Sequence, residues 1–248
     1  VNILVFARAP RRGAVRVALE PLLGAEAATK VHALLLMRAI EWARSLTPDT
    51  LYVAYEPADA GGEVDALLGL KPRDLDELAA EHAAATRADP APAHGAPRLV
   101  SFPQVGDGIA GRMRHAVGRV FEEHSGPVLI VWPDLPNLHR EHGEAALADL
   151  AAGADIVLGP VFDGGFYLVG LARPQPRLFE LDEKAWRGPG AIGLAMAAAL
   201  QDRANVLEVG ILRVERALHR PADVRAALAD PMLAPELARV LGRRATLS

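Results

Sequence analysis

Apolar positions in this chain alternate between short unbroken runs and longer stretches with helical spacing, a pattern that predicts strands and helices in turn. Residues 2–7, 128–131, 155–160 and 166–170 are apolar except for Asn2 and Asp155 and are rich in β-branched or aromatic side chains. Such runs suit strands buried on both faces. Residues 50–55, 98–102 and 205–209 add three more strand candidates. Between them, residues 24–46 place Ala27, Val31, Leu34, Leu35, Ile40 and Ala43 at steps that mostly fit one helical face, and Thr47-Pro48-Asp49 stops the helix. A second amphipathic helix follows Gly111, with Met113, Ala116, Val117, Val120 and Phe121 on one face. Shorter helices are expected over 65–70, 75–87, 139–152, 191–200, 220–228 and 234–241. The β-α-β order at the amino end predicts a right-handed crossover and a parallel sheet. Alternation along the whole length favours one α/β domain over 1–248, with helices on both faces of the sheet. Residues 88–97, rich in proline and alanine, read as a mobile surface loop.

In open α/β sheets small-molecule sites lie beyond the carboxyl ends of the strands, so the residues there are the first to consider. The run Val128-Leu129-Ile130-Val131 ends in Trp132-Pro133-Asp134-Leu135-Pro136, and the run ending at Pro160 bends through Val161-Phe162-Asp163-Gly164-Gly165. Each strand end thus presents an aspartate in a turn, and Asp134 and Asp163 are the candidate catalytic pair. The first strand gives way to Arg8-Ala9-Pro10-Arg11-Arg12-Gly13, with Arg16 just beyond. Two readings stand: a cradle for an anionic phosphate group, or a solvated basic loop without a Walker-type glycine-lysine signature. Gly106, Gly108 and Gly111 imitate a dinucleotide fingerprint, but no acidic residue follows at a convincing strand end, so a helix start is inferred, with Arg112 available to a ligand. His82 and His94 are expected to face solvent.

Composition narrows the classes. A hydrophobic fraction of 51% with 23% charged residues is enough for a substantial core and excludes disorder throughout. The net charge of −4 offers no basic footprint for nucleic acid. The absence of cysteine excludes disulfides and thiolate chemistry. No window is long and apolar enough for a membrane helix, and no secretory leader is evident. The expectation is a cytoplasmic monomer or homodimer with small-molecule partners.

Taken together, Val5-Phe6-Ala7-Arg8-Ala9-Pro10 through Gly13, Asp134-Leu135-Pro136, and the block from Gly159 through Asp163-Gly164-Gly165-Phe166-Tyr167-Leu168 to Gly170 resemble the DUF2064 family. That group is similar to the radical-SAM-associated GT-A glycosyltransferases and related to 2-phospholactate guanylyltransferase and the molybdenum-cofactor guanylyltransferases. The resemblance implies a Rossmann-like GT-A domain with a mostly parallel central sheet, binding a nucleotide or nucleotide sugar over the first strand's loop. It implies nucleotide contacts from Ala7, Arg8, Ala9, Pro10, Gly13, Arg16, Gln104 and Arg112. A donor or acceptor pocket would be lined by Gly164, Gly165, Phe166 and Trp186, next to Asp163. A divalent metal, Mg²⁺ or Mn²⁺, would sit on Asp134, bridging a diphosphate.

The chain departs from the family pattern where Lys-Thr-Arg-Leu becomes Arg16-Val17-Ala18-Leu19 and where Asp-Val-Asp-Thr-Pro becomes Ala217-Leu218-His219-Arg220-Pro221. The second change removes both carboxylates and leaves His219, either a substitute metal ligand or an ordinary surface residue. The resemblance implies a transferase using a nucleotide-activated donor, with glycosyl transfer to a small acceptor ranked first. The loss of phosphate-neutralising charge sets that order. Guanylyltransferase-type transfer to a small phosphorylated acid is the alternative, and a degenerate nucleotide-binding member is a third. Hydrolysis by Asp134 and Asp163 as an acid and base pair ranks last.

Overall fold

The computed structural model describes residues 1–69, 87–88, 97–180, 186 and 207–245. Among the described residues eight strands form one sheet: β1 (Asn2–Arg8), β2 (Thr50–Glu56), β3 (Arg87–Ala88), β4 (Arg98–Pro103), β5 (Val128–Val131), β6 (Ile156–Pro160), β7 (Phe166–Leu171) and β8 (Val209–Ile211). Their spatial order is β3-β4-β2-β1-β5-β7-β6-β8. Strands β4, β2, β1 and β5 are parallel neighbours. The turn after β6 returns β7 antiparallel between β5 and β6, and β8 adds parallel to β6. Six of the eight strands therefore point the same way, and only β3 and β7 oppose them.

The strand sequences explain the layering. Successive side chains on a strand point to opposite faces, so Ile3, Val5 and Ala7 join one buried cluster while Leu4 and Phe6 join another. On the first face lie Leu36, Ile40 and Ala43 of α2 (Ala25–Ser45), Val64 and Leu68 of α3 (Gly61–Leu68), and Ala146 and Leu150 of α5 (Arg140–Ala151). The second face is covered by Met113, Ala116, Val117 and Val120 of α4 (Gly108–Glu123). The long helix α2 is apolar on two sides. Its Ala28, Val31 and Leu35 pack outward against α1 (Glu20–Leu23), α6 (Pro221–Leu228) and α7 (Pro235–Ala245), through Leu23, Val224, Leu237 and Leu241. Burying each such aliphatic side chain is worth about 1.5–3 kcal/mol. This third layer holds the segment 217–220 against the carboxyl edge of the sheet through fully buried Leu218.

The α/β class and the two-sided cover agree with the sequence, and several boundaries shift. The strand expected at 205–209 is Val209–Ile211, the helix expected at 65–70 is Gly61–Leu68, and Arg87 lies in a two-residue strand rather than at a helix end. The helices expected at 75–87 and 191–200, the loop expected at 88–97 and His82 and His94 fall outside the described residues, apart from Arg87 and Ala88 of that short strand and Pro97. Among the described residues no helix is long and apolar enough to cross a membrane.

Candidate functional site

Because β1, β2, β4, β5, β6 and β8 share a direction, their carboxyl ends meet at one edge of the sheet. A cleft of about 600 Å³ opens there. Asp134 reaches it from the turn after β5, and Asp163 from the tight turn between β6 and β7. Gly165 makes that turn feasible: its φ is +91°, and a Cβ would come within 2.9 Å of the Trp186 carbonyl oxygen. Few side chains tolerate that backbone region.

Asp134 and Asp163 are joined by His219. The imidazole Nδ1 donates to Asp163 Oδ2 at 2.8 Å, and Nε2 faces Asp134 Oδ2 at 3.5 Å. On its other side Asp134 receives Arg16 Nη2 at 2.5 Å. Arg16 is itself held by the frame, donating Nη1 to the Leu218 carbonyl at 2.9 Å and Nη2 to the Pro133 carbonyl at 2.8 Å. Its side chain is only 6% exposed, against 26% for Asp134. Burial alone would raise the Asp134 pKa, but the Arg16 guanidinium and the His219 hydrogen bond outweigh it and hold the carboxyl well below the usual range. Burial opposes the charged form of His219, yet Asp134 and then Asp163 prevail and its pKa is raised.

A second group lies at the ends of β1, β2 and β4. Glu56 accepts from Arg8 Nε at 2.8 Å and Nη2 at 2.5 Å, and its other oxygen lies 3.5 Å from Arg112 Nη1. Gln104 Nε2 donates to the carbonyls of Ala7 and Ala54 at 2.9 and 3.0 Å, which turns Oε1 away from both as a fixed acceptor. His32, on α2, hydrogen-bonds the Arg8 carbonyl through Nε2 at 2.8 Å. Burial, reinforced by Arg16, lowers its pKa to about 4, so the ring is neutral near pH 7. Neutral His32 donates from Nε2, which makes Nδ1 an acceptor.

Among the described residues, five that line the cleft carry a buried side-chain atom with no hydrogen-bond partner: Arg16 Nε, His32 Nδ1, Gln104 Oε1, Arg112 Nε and Trp186 Nε1. Unmet buried polar atoms are costly, and a polar ligand in the cleft would offer partners to these. Among the described residues, four guanidinium groups, on Arg8, Arg16, Arg112 and Arg220, line the cleft against three carboxylates, on Glu56, Asp134 and Asp163. The excess is positive before His219 is counted. Trp186 lies parallel to Phe179, 5.8 Å between centroids, and edge-on to Phe166 at 6.1 Å, forming an apolar wall.

Of the residues singled out from sequence, Ala7, Arg8, Arg16, Gln104, Arg112, Asp134, Asp163, Gly164, Gly165, Phe166, Trp186 and His219 line this cleft. Ala9, Pro10 and Gly13 do not; Ala9 is fully buried in the core. Arg11 is turned away into pairs with Asp59 and Glu63, and Arg12 is exposed outside the cleft. Sequence reasoning passed over Glu56, although the strand-end rule that found Asp134 applies to it equally. It also passed over His32, which sits among the apolar positions of α2 and has no local signal.

The side chains present do not fit a divalent metal. Asp134 is engaged by Arg16 on one oxygen and faced by His219 on the other, and Asp163 is taken by His219. Among the described residues no group of three or more His, Asp or Glu side chains is arranged to hold a metal ion. Asp134 and His219, expected as metal ligands, face each other instead.

The model of the family DUF2064, uncharacterized protein conserved in bacteria, matches residues 51–184. No curated protein matches. A crystal structure from Desulfovibrio desulfuricans G20, named as a candidate nucleotide-diphospho-sugar transferase, superposes with a TM-score of 0.73 at 20% identity, covering 99% of this chain and 95% of that one. This chain thus has the same fold, the α/β arrangement expected of a GT-A domain. Rv0371c from Mycobacterium tuberculosis H37Rv aligns with a TM-score of 0.42 at 18% identity over 90% of this chain and 95% of that one. Its manganese complex gives 0.43 at 17% identity over 91% and 96%.

Proposed function

The chain belongs to the DUF2064 family, and on that premise we propose that it is a transferase using a nucleotide-activated donor, passing a glycosyl group from a nucleotide sugar to a small acceptor. The observation that carries this reading is the cleft itself: a pocket of about 600 Å³ whose described lining residues carry a positive bias and five unmet buried polar atoms. Guanidinium forks match phosphate oxygens, so Arg8, Arg16 and Arg112 are assigned the donor's diphosphate. Gly164, Gly165, Phe166 and Trp186 are assigned the transferred sugar and the acceptor, where close backbone and an aromatic wall suit a sugar face.

In the transfer, an acceptor hydroxyl oxygen attacks the sugar's anomeric carbon. The bond from that carbon to the diphosphate oxygen breaks, and the nucleoside diphosphate leaves with the electron pair. The hydroxyl proton passes to the Asp163 carboxylate, which the His219 Nδ1–H holds in place, while fixed guanidinium charge offsets the negative charge growing on the leaving group. Asp163→Asn is expected to lower kcat by about a hundredfold or more while leaving the donor Kd nearly unchanged, as read by product formation and calorimetry.

The reading is tested by titrating the protein with UDP-sugars, GDP-sugars and GTP and following products by mass spectrometry with a panel of hydroxylated acceptors. Sugar transfer with release of nucleoside diphosphate is the expected result. Pyrophosphate release from GTP with a phosphorylated hydroxy acid would instead establish nucleotidyl transfer. A second reading, nucleotide binding without turnover, is favoured by the prior engagement of Asp134 and Asp163 by basic side chains. Binding with no product from any donor and acceptor pair would select it.

A further inference from the structure

Each carboxylate in the cleft already has a basic partner among the described residues. Glu56 is held between Arg8 and Arg112, Asp134 between Arg16 and His219, and Asp163 by His219. The position of Arg16 does not depend on Asp134 alone. Two of its three hydrogen bonds run to main-chain carbonyls, of Pro133 in the turn after β5 and of Leu218 in the segment beyond β8. Leu218 is fully buried, and its amide donates back to the Asp134 carbonyl at 2.9 Å. The guanidinium is therefore built into the frame of the cleft.

A divalent cation placed on Asp134 would have to share the carboxylate with this fixed positive charge, or displace it from two carbonyls that cannot follow. Like charges a few ångströms apart in a half-buried site repel strongly, and Mg²⁺ needs several oxygen ligands in strict geometry. Arg16, by contrast, retains an Nε–H with no partner among the described residues, as does Arg112. Guanidinium groups with donors to spare are complementary to a phosphate oxygen.

We propose that the cleft takes its nucleoside diphosphate or nucleotide sugar without a divalent cation, the Arg16 guanidinium providing from the protein the positive charge beside the diphosphate. This rests on the reading of the cleft as a nucleotide site. It differs from the metal-bridged arrangement that the family resemblance implies, and the difference lies in this chain's own residues. The segment 217–221, Ala-Leu-His-Arg-Pro, supplies no carboxylate that could compete with Arg16 for a cation.

The test is calorimetric titration of the intact protein with UDP, GDP and UDP-glucose, once in EDTA and once in Mn²⁺, together with a Mn²⁺ titration of the protein alone read by electron paramagnetic resonance. Kd is expected to agree within about twofold between the two conditions, and Arg16→Gln is expected to weaken binding in both by about tenfold or more. If Arg16→Gln fails to fold by circular dichroism, Arg16→Lys keeps the charge without the fork and is expected to weaken binding severalfold in EDTA. Tightening of about tenfold or more by Mn²⁺ would overturn the proposal. So would stoichiometric Mn²⁺ binding that Asp134→Asn abolishes, whatever the nucleotide does. Absence of nucleotide binding in both conditions would overturn the functional reading and this inference with it, whereas a metal requirement would overturn the inference alone.

Discussion

Arg16 adopts φ 52° and ψ 32°, a left-handed conformation uncommon for a residue with a Cβ. Its three hydrogen bonds offset that strain, and the ion pair with Asp134 is the shortest of them. Asp134→Ala would leave a guanidinium only 6% exposed without its carboxylate. The expected loss is about 3 kcal/mol, the low end for breaking a buried pair because Asp134 is partly solvated, measurable by urea unfolding. His32 makes a pH prediction of its own. Its folded pKa, about 4, lies below the ordinary histidine value, so between these the unfolded chain binds the extra proton. Stability rises with pH wherever the unfolded state holds more protons. The contribution is therefore complete above the ordinary histidine pKa and is lost as pH falls toward 4, by on the order of 3 kcal/mol. Urea midpoints measured from pH 7 to 4 should fall more steeply for the native protein than for His32→Gln; equal slopes would refute the assignment.

The turn between β6 and β7 shows how far element-level features can be read from sequence. An apolar run, an aspartate followed by two glycines, and a resumed run are enough to locate a bend at a strand end. Gly165 can be tested against Gly13. Both have positive φ, +91° and +74°, but a Cβ at Gly165 meets the Trp186 carbonyl oxygen at 2.9 Å while one at Gly13 meets nothing within 4 Å. Gly13→Ala should therefore cost only backbone strain, about 1 kcal/mol, and Gly165→Ala should cost more, about 2–3 kcal/mol. Denaturant midpoints of the two variants compare them directly. What sequence concealed was set by pairing between distant segments. The antiparallel insertion of β7 between β5 and β6 depends on which neighbour the returning strand finds. The strand β8 is fixed at Val209–Ile211 by its register with Ile156–Leu158. Glu56 stands one residue past the strand expected at 50–55, where no glycine turn draws the eye to it, and His32 has no cue because a helix facing two apolar layers does not show which position opens onto a cleft. Arg11 belongs to the same basic loop as Arg8, yet it is drawn off by Asp59 and Glu63, acids that follow β2.

At the scale of the whole molecule, the charge of the chain and the charge of its cleft have opposite signs. The chain carries a net −4, whereas the described residues of the cleft set four guanidinium groups against three carboxylates. An approaching nucleoside diphosphate is repelled by the overall charge at long range and attracted by the cleft at short range. Salt shortens the range of both effects, the screening length falling from about 10 Å at 0.1 M to about 3 Å at 1 M ionic strength. The partly open cleft exposes its charges to that screening; Arg8, for instance, is 46% exposed. Short-range attraction is the larger effect once the ligand is bound, so added salt should weaken binding. Kd for a nucleoside diphosphate is expected to rise about three- to tenfold over that range, while the uncharged nucleoside changes little. Calorimetry with both ligands in NaCl and in a second salt separates screening from specific chloride competition. A nucleoside diphosphate whose affinity is flat, or rises, with ionic strength would mean that long-range repulsion by the acidic surface outweighs the cleft, and that these arginines do not meet the phosphates.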